Sequence, residues 1–184
     1  MIDSELTKAI LKPDENLQIG KDAPIRNMVK APNLDWETEV DIGPNRTADI
    51  LITLLYKHHD PKKVVIEVEN DRKFEVETVL RKIKRQQNYP TIAIIPKEFE
   101  RHSYQFQKSG IPVWYWTATC KWECRACNEV TTSSSSLTPP RCSHCKKQGF
   151  LKWIEPDNID FRPAEKNPEL KWREIDVATA HVRW

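Results

Sequence analysis

The stretch ADILITLLYKHHDPKKVVIEVE, residues 48–69, decides the reading of the fold. Its first part, Ala48–Tyr56, and its last, Val64–Glu69, are rich in the branched apolar residues that favour strands. KHHDPK between them, residues 57–62, reads as a turn with Asp60-Pro61 as its breaker. Alternation puts Val64, Ile66 and Val68 on one face of the later strand, and Val65, Glu67 and Glu69 on the other. In the earlier strand Ile50, Ile52 and Leu54 share a face, opposite Asp49 and Leu51. An antiparallel hairpin centred on His58 sets Asp49 against Glu67, with Glu69 one pleat farther along the same face.

Working outward, Trp36–Ile42 reads as a preceding strand, joined through the Gly43-Pro44-Asn45 turn. Downstream the period changes. Val76, Val79, Leu80, Ile83 and Gln87 follow helical spacing across residues 74–89, and Pro90 ends that helix. Thr91–Ile95 is short and apolar, as a strand buried on both faces should be. Lys97–Lys108 reads as a helix closed by Ser109-Gly110, and Ile111–Trp116 as a further strand. At the N-terminal end, residues 3–12 suit a short helix capped by Asp3 or Ser4 and ended by Pro13, with an irregular lead-in over 13–33. The order predicts an α/β fold, a mixed central sheet flanked by helices over residues 1–118, with a small appendage at 119–154 and a tail at 155–184 that packs back on the core.

Composition supports a folded domain. Of 184 residues, 39% are apolar and 30% charged, so the chain can bury a core. Twenty-nine basic residues against 27 acidic ones leave a net charge of only +2, which excludes a global basic field. A nucleic-acid site must then come from local segregation of charge. No apolar run approaches the ~20 residues that span a bilayer, and the acidic start is unlike a signal peptide. The expectation is a soluble, cytoplasmic protein without a membrane partner or a small-molecule cofactor. Five cysteines, an odd number, fit a metal site and a spare thiol better than disulfides.

The appendage is the clearest motif. Cys124-x-x-Cys127, fourteen intervening residues, then Cys142-x-x-Cys145 form two knuckles whose thiolates can bind one Zn²⁺. Four ligands with no open position make such a site structural. Cys120 and His144 are competing ligands, read instead as a strand thiol and a surface residue. Lys121, Arg125, Arg141, Lys146 and Lys147 give this ribbon a basic surface suited to phosphate. Ser133–Ser136 reads as a low-complexity tip.

Asp49, Glu67 and Glu69 on one patch repel one another, and a divalent cation is the natural compensation. Oxygen ligands suit Mg²⁺ or Mn²⁺, which can polarise a phosphodiester and acidify an attacking water. The plainer alternative is a solvated sheet face with acidic decoration.

Asp49, the Glu67-Val68-Glu69 run and the helix and strand that follow resemble the PD-(D/E)XK nuclease superfamily over residues 36–116. The resemblance implies a restriction-endonuclease-like fold and a divalent-metal-dependent DNA endonuclease. Asp49 matches the motif aspartate and Glu67 its metal-binding acid. Glu69 stands where the motif has lysine, a replacement also found in some restriction enzymes. Its role would be to bind a second metal or position water, or else Lys82 or Lys84 of the helix would supply the missing positive charge. Gln86, Gln87 and Tyr89 resemble the helix glutamine and tyrosine of some branches, without the Gln-x-x-x-Tyr spacing. A further acid, often from an N-terminal helix in this superfamily, has Glu5 as candidate, with Glu37 and Glu39 as alternatives.

Arg72, Lys73, Arg81, Lys82, Lys84 and Arg85 concentrate positive charge on and before the helix and, with Arg125 and Lys146 of the ribbon, are the candidate DNA contacts. Trp114, Trp116, Trp122 and Trp153 surround the strand–ribbon junction, where one or two could stack on unpaired bases. A homodimer suits the cutting of two strands. The alternatives are a catalytically degenerate DNA-binding or recruitment protein and an interaction module of a transcription or replication complex.

Overall fold

Strands β1 (Leu34–Gly43), β2 (Arg46–Tyr56) and β3 (His59–Val68) form an antiparallel meander. The β2–β3 ladder pairs Ile50 with Ile66, Leu51 with Val65 and Ile52 with Val64, the register that sets Asp49 against Glu67 at the next step. The expected KHHDPK turn is shorter than its sequence suggests, because β3 already begins at His59. Pro61 is tolerated inside β3 because this half of the strand pairs only with β2, at a register irregularity opposite Leu54–Tyr56, and β4 joins only from Val65 onward.

The computed structural model describes residues 2–11, 28–29, 34–43, 46–56, 59–70, 75–85, 89–134, 140–149 and 151–170. Within them the side chains of residues 2–5, 56, 59 and 153–158 are left undescribed. After β3 the chain enters helix α2 (Val76–Arg85) and returns as β4 (Thr91–Pro96), parallel to β3. Val76, Val79 and Ile83 are the buried stripe that makes this segment a packed helix, and the Glu75 carbonyl accepts its first turn from Thr78 and Val79 N–H at 3.0 and 3.2 Å. The expected single helix over Lys97–Lys108 is instead a 3₁₀ segment (Lys97–His102), with Phe99 out of helical geometry inside it, followed by α3 (Ser103–Lys108).

Strand β5 (Val113–Cys124) lies parallel to β4 and is twice as long as the expected Ile111–Trp116. It runs through the expected boundary at 118/119 into the cysteine-bearing end. There it pairs with β6 (Val130–Ser133), while β7 (Leu151–Pro163) lies antiparallel along its whole length. The described strands make one mixed sheet in the order β1-β2-β3-β4-β5-β6, with β7 also on β5. Residues 171–184 of the expected tail lie outside the described residues.

Two layers of side chains cover the sheet. On one face Ile50, Ile52, Leu54, Val64, Ile66, Ile92 and Ile94 pack with Leu6 and Ile10 of helix α1 (Ile2–Leu11). On the other, Ala93 and Ile95 pack with Val76, Val79 and Ile83 of α2 and Phe106 of α3. Every residue of β4 is buried, as its unbroken apolar sequence requires. Each fully buried Ile or Leu here contributes roughly 1.5–3 kcal/mol of transfer free energy, so the central strands anchor the fold. The result is a mixed α/β structure with a mostly sheet core.

Candidate functional site

Two clusters gather chemistry-bearing side chains. The first lies at the C-terminal end of β3, on the face that α2 covers. Asp49 sits near the start of β2, and its Oδ2 accepts a hydrogen bond from the Val68 backbone N–H at 2.7 Å. Glu67 stands on the same face of β3 and is fully buried, at 0% exposure. A carboxylate stripped of water needs a compensating charge.

Lys82 supplies it. Its Nζ forms an ion pair with Glu67 Oε2 and lies 3.8 Å from Asp49 Oδ1. Partial burial on its own would lower the Lys82 pKa; hydrogen bonding and attraction from Glu67, then Asp49 and Glu69, outweigh it and hold the ammonium above its ordinary 10.5. Lys82 follows Val79 by three residues, so it borders the buried stripe rather than facing away from it. Its ammonium faces the two carboxylates while its side chain stays 42% exposed. Lys84, the other candidate stand-in, is exposed, as are Arg81 and Arg85.

Glu69 lies just past the end of β3 and is half-buried. Its backbone is pinned from both sides, the N–H donating to Ile94 O at 2.8 Å and the carbonyl accepting Trp116 Nε1–H at 2.9 Å. Its carboxylate contributes to the field on Lys82. Glu37 and Glu39 are exposed on β1. Glu37 pairs with Leu51, and Glu39 occupies the register position opposite Asp49 with a left-handed φ of 53°, an unfavourable conformation for glutamate. Helix α1, which carries Glu5, packs on the opposite face from α2, and the Glu5 side chain lies outside the described set. Arg72, Lys73, Gln86 and Gln87 also lie outside the described residues, and Tyr89 is half-buried beside Leu51 and Val65.

The second cluster is the four cysteines. The ligand atoms of Cys124, Cys127, Cys142 and Cys145 all lie within 4.8 Å of one another. Cys124 and Cys145 sulfurs are 3.6 Å apart, as are those of Cys127 and Cys142. That is too long for a disulfide, and four sulfurs each at ~2.3 Å from one ion would stand about 3.8 Å apart. The cluster can hold a structural metal such as zinc.

The two knuckles are built alike. Cys124 N–H donates to Glu129 O at 2.9 Å, and Asn128 N–H returns to Cys124 O at 2.7 Å. In the second, Cys142 N–H donates to Lys147 O and Lys146 N–H to Cys142 O, both at 3.1 Å. Asn128 and Lys146 both take φ of 58°, the left-handed turn that brings each chain back past its sulfurs.

Metal-free, the thiols hold their protons unequally. The Cys145 N–H aimed at Cys142, outweighing desolvation and helped by His144 N–H and the neighbouring thiols, lowers Cys142 to about 6. At Cys127 the Glu129 N–H pulls downward, but desolvation and the thiols of Cys142, Cys124 and Cys145 push it up to about 12. Cys120 is buried on β5 outside the cluster, and His144 is exposed.

Arg125, Arg141, Lys146 and Lys147 are exposed on the ribbon, where Lys146 Nζ also donates to Ser143 O at 2.6 Å. The tryptophans offer less than expected for stacking. Trp116 and Trp122 are core residues at 1% and 2% exposure, Trp114 is half-buried, and the Trp153 side chain lies outside the described set. Their spacing on β5 explains this: residues 116, 118, 120 and 122 form one buried row. Among the described residues, no helix is long and apolar enough to cross a membrane.

Compared with known proteins, the chain matches no family model, no curated protein and no solved structure.

Proposed function

We propose that this chain is a divalent-metal-dependent deoxyribonuclease of the PD-(D/E)XK superfamily, with a restriction-endonuclease-like core and a zinc ribbon that grips DNA. One observation carries the reading. Asp49, Glu67 and Lys82, from β2, β3 and α2, come together, with the Lys82 ammonium in reach of both carboxylates. An acid pair plus a lysine is what the motif requires, and Lys82 restores the positive charge that Glu69 removes from the usual position.

Carboxylate oxygens are the donors a hard divalent cation takes. Asp49 and Glu67 would hold Mg²⁺ or Mn²⁺, which when bound polarises the phosphodiester and acidifies its water. The backbone bond from Val68 fixes Asp49, and burial fixes Glu67. Lys82 would hold a phosphate oxygen beside them, and Glu69 would orient water. Exposed Arg81, Lys84 and Arg85 on α2, and Arg125 and Lys146 on the ribbon, would neutralise the DNA backbone.

The second reading, a catalytically degenerate DNA-binding or recruitment protein, is favoured by the same ion pair, because Lys82 compensates the buried Glu67 without a metal. The test is cleavage of supercoiled, linear, single-stranded and branched DNA with Mg²⁺ or Mn²⁺ by the wild type, Asp49→Ala and Glu67→Ala. Metal-dependent cutting lost in both variants supports the nuclease. DNA binding without cutting on every substrate selects the degenerate reading.

A further inference from the structure

The acid pair of this site is already occupied by a positive charge. Lys82 Nζ is ion-paired to Glu67 and 3.8 Å from Asp49 Oδ1. Two carboxylates in reach of one ammonium define one cation locus, and a second cation placed there would meet repulsion at close range. Of the three groups, two cannot leave. Glu67 is fully buried on a central strand, and Asp49 is tied to the Val68 N–H at 2.7 Å. Lys82 can leave, because its flexible four-carbon stem rises from a helix and its side chain is 42% exposed.

We propose that Lys82 is a built-in competitor cation, which offsets part of the charge of Asp49 and Glu67 in the metal-free protein and which a divalent ion displaces on binding. This rests on the nuclease reading for the identity of the ion. It also sets the selectivity of the site. A monovalent ion gains too little to expel an ammonium of equal charge, whereas a divalent ion gains about twice the attraction from the same two oxygens. The expelled ammonium stays tethered to α2 beside the metal locus, where an incoming phosphate would meet it.

The test is Mn²⁺ binding to the full-length, zinc-loaded protein, followed by electron paramagnetic resonance, for the wild type and Lys82→Met. The inference predicts that Lys82→Met binds Mn²⁺ about tenfold more tightly or better, since the competitor is gone while both oxygens remain. Equal or weaker affinity in a folded variant overturns it. A second measurement uses the wild type alone and so does not depend on the variant's folding. Acetic anhydride labelling, read by peptide mass spectrometry, should modify Lys82 faster when Mn²⁺ is present, with Lys84 unchanged as the internal control. Unchanged Lys82 labelling with Mn²⁺ bound overturns the inference. If neither protein binds Mn²⁺, the divalent site itself is absent and the nuclease reading falls with it, whereas equal binding by both removes only the role of Lys82.

Discussion

The Asp49 carboxylate accepts the Val68 N–H at 2.7 Å, so a side chain takes over where the β2–β3 backbone ladder stops at Ile50 and Ile66. One oxygen ends the pairing of two strands while the other faces Lys82 at 3.8 Å. Structure and charge at this residue are therefore separable. Asp49→Ala should cost about 1–3 kcal/mol, because it leaves the Val68 N–H unpaired in a part-buried place. Asp49→Asn keeps an acceptor and should cost less, while losing the charge a metal needs. Urea unfolding of the two variants checks this, and equal destabilisation would show that the hydrogen bond contributes nothing.

The Glu67–Lys82 pair makes a second prediction. Lys82→Met removes the positive charge beside a buried carboxylate and should destabilise the fold by about 1–3 kcal/mol, below the range for fully buried pairs because Lys82 is part-exposed. Adding Glu67→Gln should recover much of that loss, so the double-mutant cycle should give a coupling of about 1 kcal/mol or more. Additive single effects would deny that the two residues interact.

The sign of the pH dependence follows from the raised Lys82 pKa. A lysine whose folded pKa is raised contributes its stabilisation fully below the unfolded value of 10.5 and loses it as pH rises through the folded value. The stability gap between wild type and Lys82→Met should therefore be flat from neutral pH to about 10 and shrink at higher pH. A gap that shrinks below about pH 9 would contradict the shift.

For the ribbon, one metal ion per chain is expected, lost in Cys124→Ser and Cys142→Ser and kept in Cys120→Ser, by elemental analysis. Stripping zinc with a chelator should loosen β6 and the knuckles while the β2–β4 core keeps its protected amides, because the cysteines lie at the far end of β5 from the β4–β5 pairing. Hydrogen exchange separates the two regions, and global unfolding on chelation would show that the ribbon holds the whole sheet together.

Charge reversal on α2 (Arg81→Glu with Arg85→Glu) and on the ribbon (Arg125→Glu with Lys146→Glu) should each weaken DNA binding. Each lost phosphate contact should lower the slope of log affinity against log salt by about 0.9. An unchanged slope for either pair removes that surface from the interface.

Much of this arrangement was legible because strict alternation leaves a strand little freedom. A slip of one residue would have turned Ile50, Ile52, Ile66 and Val64 out of the core, so the hairpin register followed from the sequence. The cysteine knuckles were legible for a similar reason, since a two-residue spacing lets both sulfurs of a knuckle reach one ion. Other features were not. Asp60-Pro61 carried a breaker signal that the one-sided pairing of β3 overrides. Strand β5 continues past Trp116 because the alternation of its buried row runs on to Cys124, where the cysteine motif had suggested a separate unit. The inward turn of Lys82 depends on a buried glutamate across the helix–sheet interface. Helical spacing alone sets Lys82 with the other cations of the helix, projecting outward from its apolar stripe.

The proposed joint action of Asp49, Glu67 and Lys82 on a phosphodiester requires all three side chains. Its most direct test is the single-turnover rate of DNA cleavage at saturating Mn²⁺, for wild type against Lys82→Met, with both proteins shown to be folded and zinc-loaded. The wild type should show metal-dependent cutting, with a rate at least about 100-fold lower without the Lys82 charge. Cutting by Lys82→Met at the wild-type rate would contradict it, as would a wild type that binds DNA and Mn²⁺ together and cuts nothing.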